Sequence, residues 1–219
     1  MFGEYIGAGS GTTKLLLHLN GNSTDSSGNG NNGTDTAITY VDGKFGKCAS
    51  FNGSSSKINL PTASLNTALS TAITISMWVK FNATTDGQYL FALNSSPGDS
   101  PEIRLKTGYS AGNLTFEWAV YDNNDYQADV SKIIPYDTNW HHVLVVGATN
   151  DFRIYIDNSL GTTATSGSFN IDNIGELALG RYSYGVAYFN GSMDEVIIEN
   201  RAWTASEVKK YYTNSLGRF

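Results

Sequence analysis

Ile73-Thr74-Ile75-Ser76-Met77-Trp78-Val79-Lys80-Phe81 decides the fold class. Successive side chains of a strand point to opposite faces, so Ile73, Ile75, Met77, Val79 and Phe81 make one apolar face. Thr74, Ser76, Trp78 and Lys80 make the other, and Trp78 there either lines a groove or is covered by the terminal segments. Further strands are predicted at 114–121, 142–146, 152–157, 177–179 and 193–199, and 147–151 joins two of them as a hairpin. Core-like sequence begins at Leu15-Leu16-Leu17-His18-Leu19. One helix is expected, near the end. Thr204-Ala205-Ser206-Glu207 has capping-box spacing, and Val208, Tyr211 and Tyr212 give its apolar stripe.

The chain has 219 residues, 40% of them hydrophobic, which suffices for one large core. Only 16% are charged, against about 25% in ordinary soluble domains, and 23 glycines stand beside 4 prolines. Many short strands and turns suit that composition better than helices. We find no internal repeat and no second domain, so the expected organisation is a Gly-rich arm over residues 1–13 and one domain over 14–219. The net charge of -6 argues against a nucleic-acid partner, which needs clustered Lys and Arg. Cys48, the single cysteine, excludes an intrachain disulfide and reads as a small packed strand residue. The start shows neither the basic region nor the apolar run of a signal peptide, and no segment reads as a membrane span. The expectation is a chain made in a cytoplasm, or a mature fragment, acting outside the cell or on a virion. Seven N-x-[ST] sequons follow from the richness in Asn, Ser and Thr.

Six blocks in order carry a resemblance. Leu17-His18-Leu19-Asn20-Gly21, with Asp25-Ser26-Ser27-Gly28-Asn29-Gly30-Asn31-Asn32-Gly33-Thr34, comes first. Gly43-Lys44-Phe45-Gly46 with Phe51-Asn52-Gly53, then Ile75-Ser76-Met77-Trp78-Val79-Lys80, follow. Trp140-His141-His142-Val143 and Ile154-Tyr155-Ile156-Asp157 come next. Phe189-Asn190-Gly191-Ser192-Met193-Asp194-Glu195-Val196, with Asn200-Arg201-Ala202-Trp203-Thr204-Ala205-Ser206-Glu207-Val208, closes the set. Together they resemble concanavalin A-like, laminin G-like domains, with Trp203 standing where many relatives carry an aliphatic residue. The resemblance implies an all-β, two-sheet antiparallel jelly-roll sandwich with a short C-terminal helix. It leaves function open, because this fold hosts lectins, adhesion modules, glycosidase appendages and virion proteins.

Two motifs mimic enzymes. Gly28-Asn29-Gly30-Asn31-Asn32-Gly33 satisfies G-x-G-x-x-G, but no helical period follows to hold a pyrophosphate. Gly108-Tyr109-Ser110-Ala111-Gly112 satisfies G-x-S-x-G, but a strand follows where a nucleophile elbow needs a helix. His141 and His142 point to opposite strand faces, and His18 has no identifiable partner, so each reads as a packed histidine. Glycoside hydrolysis needs two carboxylates across one cleft. Glu117 with Asp122, and Glu195 with Glu199, are close in sequence, but the E-x-D-x-x-E motif of glucanases on this fold is absent.

Many relatives pin the first loop to the closing strand through a structural calcium. The resemblance therefore implies Ca2+ on Asp25 and Asp194, with carbonyls from around Gly21 and Asn22. The alternative is an Asx turn at Asp25 and backbone N–H bonds at Asp194. Two loop-like, aromatic and polar stretches resemble recognition surfaces: Tyr121, Asn123, Asn124 and Tyr126 in one, Arg181, Tyr182 and Tyr184 in the other. The expected function is non-catalytic binding of a glycan or a cell-surface receptor, as a phage virion decoration, tail or fibre protein. The alternatives are a purely structural virion component anchored to other virion proteins by residues 1–13, and a glycoside hydrolase or polysaccharide lyase.

Overall fold

The computed structural model describes residues 11–69, 71–94, 102–122, 125–171, 175–182 and 187–217. Among them, fifteen strands form two antiparallel sheets. Sheet I holds β1 (Thr13–Leu17), β3 (Thr39–Asp42), β4 (Lys47–Asn52), β6 (Ala72–Phe81), β11 (Trp140–Ala148), β12 (Asp151–Ile156), β13 (Ser159–Ala164) and β15 (Asn190–Glu199). Sheet II holds β2 (Thr34–Thr36), β5 (Lys57–Leu60), β7 (Gln88–Asn94), β8 (Glu102–Ser110), β9 (Asn113–Asp122), β10 (Asp125–Pro135) and β14 (Glu176–Leu179). The orders are β13-β12-β11-β6-β15-β4-β3, with β1 also on β15, and β10-β9-β8-β7-β14-β5-β2. The fold is the expected two-sheet jelly-roll sandwich.

Between the sheets lies the main core. Ile73, Ile75, Met77, Val79 and Phe81 of β6 are at most 1% exposed and pack with Phe91, Phe116 and Trp118 of sheet II. The strand that decides the fold thus buries the face its alternation predicts. The enzyme-like motifs are turns: Ala111 and Gly112 have φ of 50° and 81°, the left-handed pair of a two-residue hairpin between β8 and β9. Gly28 and Gly30 also turn at positive φ, and strand β2 follows rather than a helix.

β15 bends at Asp194-Glu195. Met193 and Val196 both face the core although they are three positions apart, a spacing that puts regular strand residues on opposite faces. A bulge supplies the missing residue: pairing with β6 jumps from Asp194↔Trp78 to Ile197↔Ser76, and Glu195 adopts φ of 51°. The same point is where β15 changes neighbours, from β4 at Asn190–Met193 to β1 at Val196–Glu199.

Two helices are present among the described residues. α1 (Thr62–Ala68) was not expected from sequence; it has no side-chain cap, and it is fixed by Leu65 and by Leu69 just beyond it, both fully buried. α2 (Ala205–Leu216) has the expected capping box, with Glu207 N donating to Thr204 Oγ1 at 3.3 Å and Thr204 N donating to Glu207 Oε2 at 2.8 Å. The expected boundary of the arm falls inside β1, since Thr13 is already 8% exposed and donates its hydroxyl to Glu199. Residues 1–10 lie outside the described residues. A second difference concerns 121–126, read as a loop: Tyr121 and Tyr126 face each other as paired residues of β9 and β10.

Candidate functional site

The two sheets turn very different faces outward. On sheet I, Trp78 stands between His142 of β11 and Asp194 of β15. Tyr212 of α2 stacks over the Trp78 ring at 6.0 Å, and the Lys44 ammonium sits 4.1 Å from its centroid. Trp78 is therefore covered, as one of the two sequence readings allowed. Beside it, Leu16, Leu144, Val146, Tyr155 and Ile197 form a second core with Trp203, Val208 and Tyr211. Trp203 fills the place of the usual aliphatic residue, and its indole donates to Glu199 Oε2 at 2.6 Å.

The carboxylates considered for hydrolysis are held in this architecture. Glu199 is fully buried and receives Thr13, Trp203 and Arg201. Glu195 is 3% exposed and lies 2.8 Å from His18 Nδ1. Glu117 pairs with Lys106 at 2.7 Å, while the side chain of Asp122 lies outside the described residues. His18 thus has a partner that spacing did not disclose, because only the bulge at Glu195 brings it in. His141 is 2.7 Å from Asp157 and 3.0 Å from Asp137, and His142 Nε2 is 2.8 Å from the Ser76 hydroxyl.

Asp25 and Asp194, the two carboxylates considered for calcium, have separate hydrogen-bond partners. Asp25 Oδ1 accepts from Leu16 N and Ser27 N, and Oδ2 accepts from Asn31 N and Ser27 Oγ, all between 2.8 and 3.0 Å. Those four donors make it an Asx-turn carboxylate with its oxygens in use. Asn22 accepts from Thr24 N within the same loop, and Gly21 turns at φ of 98°. Asp194 belongs to another loop: its Oδ2 accepts from Lys44 N and Phe45 N, both at 2.9 Å. Its Oδ1 is buried without a hydrogen-bond partner, and burial pushes its pKa up to about 6. Asp194 fits a cation and Asp25 does not. Among the described residues no group of three or more His, Cys, Asp or Glu side chains is placed to hold a metal.

Sheet II presents the recognition residues. The register lines up Asp129, Ala119, Arg104, Ala92, Ala178 and Asn59 across its outward face, from β10 to β5. The three alanines are at most 1% exposed. Arg181 and Lys57 both reach Glu176 Oε1, at 3.4 and 3.8 Å, and Arg104 Nη2 donates to Tyr121 OH at 2.9 Å. Tyr182 stacks on Tyr89 with centroids 4.5 Å apart and planes 18° from parallel. Tyr126 meets Tyr121 edge-on at 5.8 Å and is 59% exposed. Asn59 Oδ1 is buried there with no hydrogen-bond partner.

Tyr121, Tyr126, Arg181 and Tyr182 thus share one face, although about sixty residues separate the two segments in sequence. Their strands lie three spacings, roughly 14 Å, apart across the sheet, and Tyr121 stands four residues further along β9 than the level of Tyr89. Asn123, Asn124 and Tyr184 lie outside the described residues. Sequence reasoning missed Tyr89, Lys57 and Asn59. Their signal was a polar or tyrosine residue alternating with Ile58, Leu60 or Phe91, legible only once the outward face was known to stay open.

An all-β sandwich with one helix-covered face and one polar, tyrosine-bearing face is a lectin-type architecture. The Laminin_G_3 model, described as the concanavalin A-like lectin/glucanases superfamily, matches residues 52–209, and the chain belongs to this family. It is 30% identical over 120 residues to the human adhesion G-protein coupled receptor D1, a match covering 52% of this chain and 13% of the receptor. Among solved structures, domain 4 of AbnA, a GH43 extracellular arabinanase from Geobacillus stearothermophilus in complex with arabinotriose, is similar. It has a TM-score of 0.73 and 24% identity, over 92% of this chain and 98% of that one. A botulinum neurotoxin type C structure, titled for cell entry dependent on two ganglioside molecules, has a TM-score of 0.66 and 15% identity, over 94% of this chain and 51% of that one. Among the described residues, no helix is long and apolar enough to cross a membrane.

Proposed function

We propose that this domain is a non-catalytic binding module whose outward sheet II face takes a glycan, free or on a cell-surface receptor. The observation that carries the reading is the gathering of Tyr89, Tyr121, Tyr126, Arg181 and Tyr182 on the one sheet face that no helix covers among the described residues. Tyrosine rings offer flat apolar surface to the C–H face of a sugar, and the neighbouring guanidinium, carboxylate and amide groups offer fixed partners to its hydroxyls. The separation of the two aromatic ends, roughly 14 Å across the strands with a further offset along them, suits an extended oligosaccharide better than one sugar unit. The arabinotriose and ganglioside named for the similar structures are of that chemical class. The test is binding of the isolated domain to a glycan array and to cells before and after glycosidase treatment. Binding that Tyr182→Ala weakens about tenfold while the fold persists is expected, and no glycan signal at all would end the reading.

A structural role for Ca2+ is proposed at Asp194 alone, where a buried oxygen lacks a partner. A calcium ion would neutralise a carboxylate that burial disfavours in its charged form. The expected outcome is a rise in Tm with Ca2+ for wild type and Asp25→Asn, absent in Asp194→Asn. An unchanged wild-type Tm would remove the ion from the account.

A further inference from the structure

The charges on the outward face of sheet II bear on which glycans it accepts. Lys57, Arg104, Lys106 and Arg181 are its cations, on β5, on β8 and just after β14. Glu117, Asp129 and Glu176 are carboxylates in the same outward rows, and Glu102 stands opposite Tyr121 in the ladder. Among the described side chains, four cations therefore meet three carboxylates, in a chain whose net charge is -6. The pairing is local. Lys106 is 2.7 Å from Glu117, Arg181 and Lys57 converge on Glu176, and Arg104 lies 4.9 Å over the Tyr121 ring that its guanidinium also donates to. Burial first, and then the nearby Glu117 charge, raise the pKa of Asp129 above that of an ordinary carboxylate.

Such a face holds donors and acceptors in fixed directions, with Lys57, Lys106 and Arg181 already beside carboxylates. A carboxylate or sulfate brought beside Glu176 or Glu117 meets a like charge, and the cation it wants is already engaged. A hydroxyl meets no such opposition, because it donates to the carboxylates and accepts from the guanidinium and ammonium groups alike. The near-parallel Tyr89–Tyr182 pair adds an apolar plate at one end.

We infer that the ligand of this face is an uncharged, hydroxyl-rich oligosaccharide, and that sialylated, uronic and sulfated glycans are excluded by the carboxylates already in place. The inference rests on the glycan-binding reading above and narrows it. It predicts that Glu176→Gln, which leaves Lys57 and Arg181 without their shared carboxylate, opens the face to acidic glycans.

The experiment presents neutral, sialylated, uronate-bearing and sulfated oligosaccharides to wild type, Glu176→Gln, Tyr89→Ala and Tyr182→Ala, at low salt and at about 0.5 M NaCl, where charge attraction is screened within a few ångströms. The melting temperature of each variant confirms folding. Expected for wild type is binding to neutral glycans that changes less than about twofold with salt, since no counterions are released. Tyr89→Ala and Tyr182→Ala each weaken it about tenfold, the worth of one aromatic contact. Glu176→Gln gains salt-sensitive binding to acidic glycans. Wild-type preference for acidic glycans, lost at high salt, overturns this inference and leaves the glycan-binding reading standing. Absence of binding to every class overturns that reading, and this one with it.

Discussion

The outward face of sheet I and that of sheet II are built from the same alternation and end in opposite states. On sheet I the outward rows carry Leu16, Ser76, Trp78, His142, Leu144, Tyr155 and Ile197, and the chain returns as Trp203 and α2 to bury them. On sheet II the corresponding positions carry Ala92, Ala119 and Ala178, with Lys, Arg, Glu and Tyr in the adjoining rows, and no helix packs over them among the described residues. A large apolar residue in an outward row demands a second layer, because exposed area of that kind costs about 25 cal/mol per Å². An alanine demands only a neighbour's methylenes. The contrast explains why one face is core and the other is left for a ligand.

The largest expected effect breaks the contrast if it fails. Trp203→Ala removes a fully buried ring and leaves Glu199 without one of its donors, so urea unfolding should show a loss of about 3–5 kcal/mol. Tyr182→Ala, on the other face, should lose less than about 1 kcal/mol of stability while weakening glycan binding about tenfold. Equal losses would mean that the sheet II face is structural too.

Next comes acid. His142 is fully buried under Tyr211 and Tyr212, and burial lowers its pKa to about 3, outweighing the Asp157 charge; Lys44 lowers it further. A folded-state pKa below the unfolded value of about 6.5 means that the unfolded chain takes up the proton first. The stability this group contributes is complete above pH 6.5 and is lost as pH falls towards 3, by about 2 kcal/mol between pH 6.5 and 5. Asp194 acts oppositely, because its folded pKa of about 6 exceeds the unfolded 3.8 and stability rises as pH falls between those values. Comparing wild type with His142→Gln isolates the histidine, and their stability difference should shrink by that amount from pH 7 to 5. A difference independent of pH would show that His142 is already hydrated or charged in the fold.

His141, one residue earlier and on the other side of the strand, reverses the sign. Burial alone would lower its pKa, but hydrogen bonds and charge from Asp157 and Asp137 raise it. Its contribution is complete below pH 6.5 and is lost as pH rises through the folded value, so His141→Ala should cost more at pH 6 than at pH 9. A constant cost across that range would assign His141 to packing alone.

These assignments show what the sequence could and could not disclose. The alternation of 73–81 and the Thr204–Glu207 box report local physics, and both were legible directly. That Trp78 would be covered depended on where residues 203–212 pack, and alternation is silent about what lies above a strand. The bulge at Glu195 left a faint trace: two acids between Met193 and Val196, a spacing that no regular strand reconciles with a common core face. Asp25 was chosen with Asp194 through a family pattern, and its own loop donors, from Leu16, Ser27 and Asn31, became visible only in three dimensions. The alanine row draws one residue from each of three distant strands, so no window of sequence contains it.

The smallest effect tests whether the sheet II face is truly solvent-facing. Lys106 and Glu117 form a 2.7 Å pair with side chains 28% and 23% exposed. Pairs of that kind contribute about 0–1 kcal/mol, because water screens them and two long side chains lose freedom. Lys106→Met should therefore shift the urea midpoint only slightly, and the shift should fade with salt. The chemically similar Arg201–Glu199 pair on sheet I includes a fully buried carboxylate, and Arg201→Met strands part of that charge in the core. Its larger, salt-insensitive loss is the reference. Should Lys106→Met match it, the ion pairs of sheet II would be interior bonds rather than surface partners, and no sugar hydroxyl could reach between them.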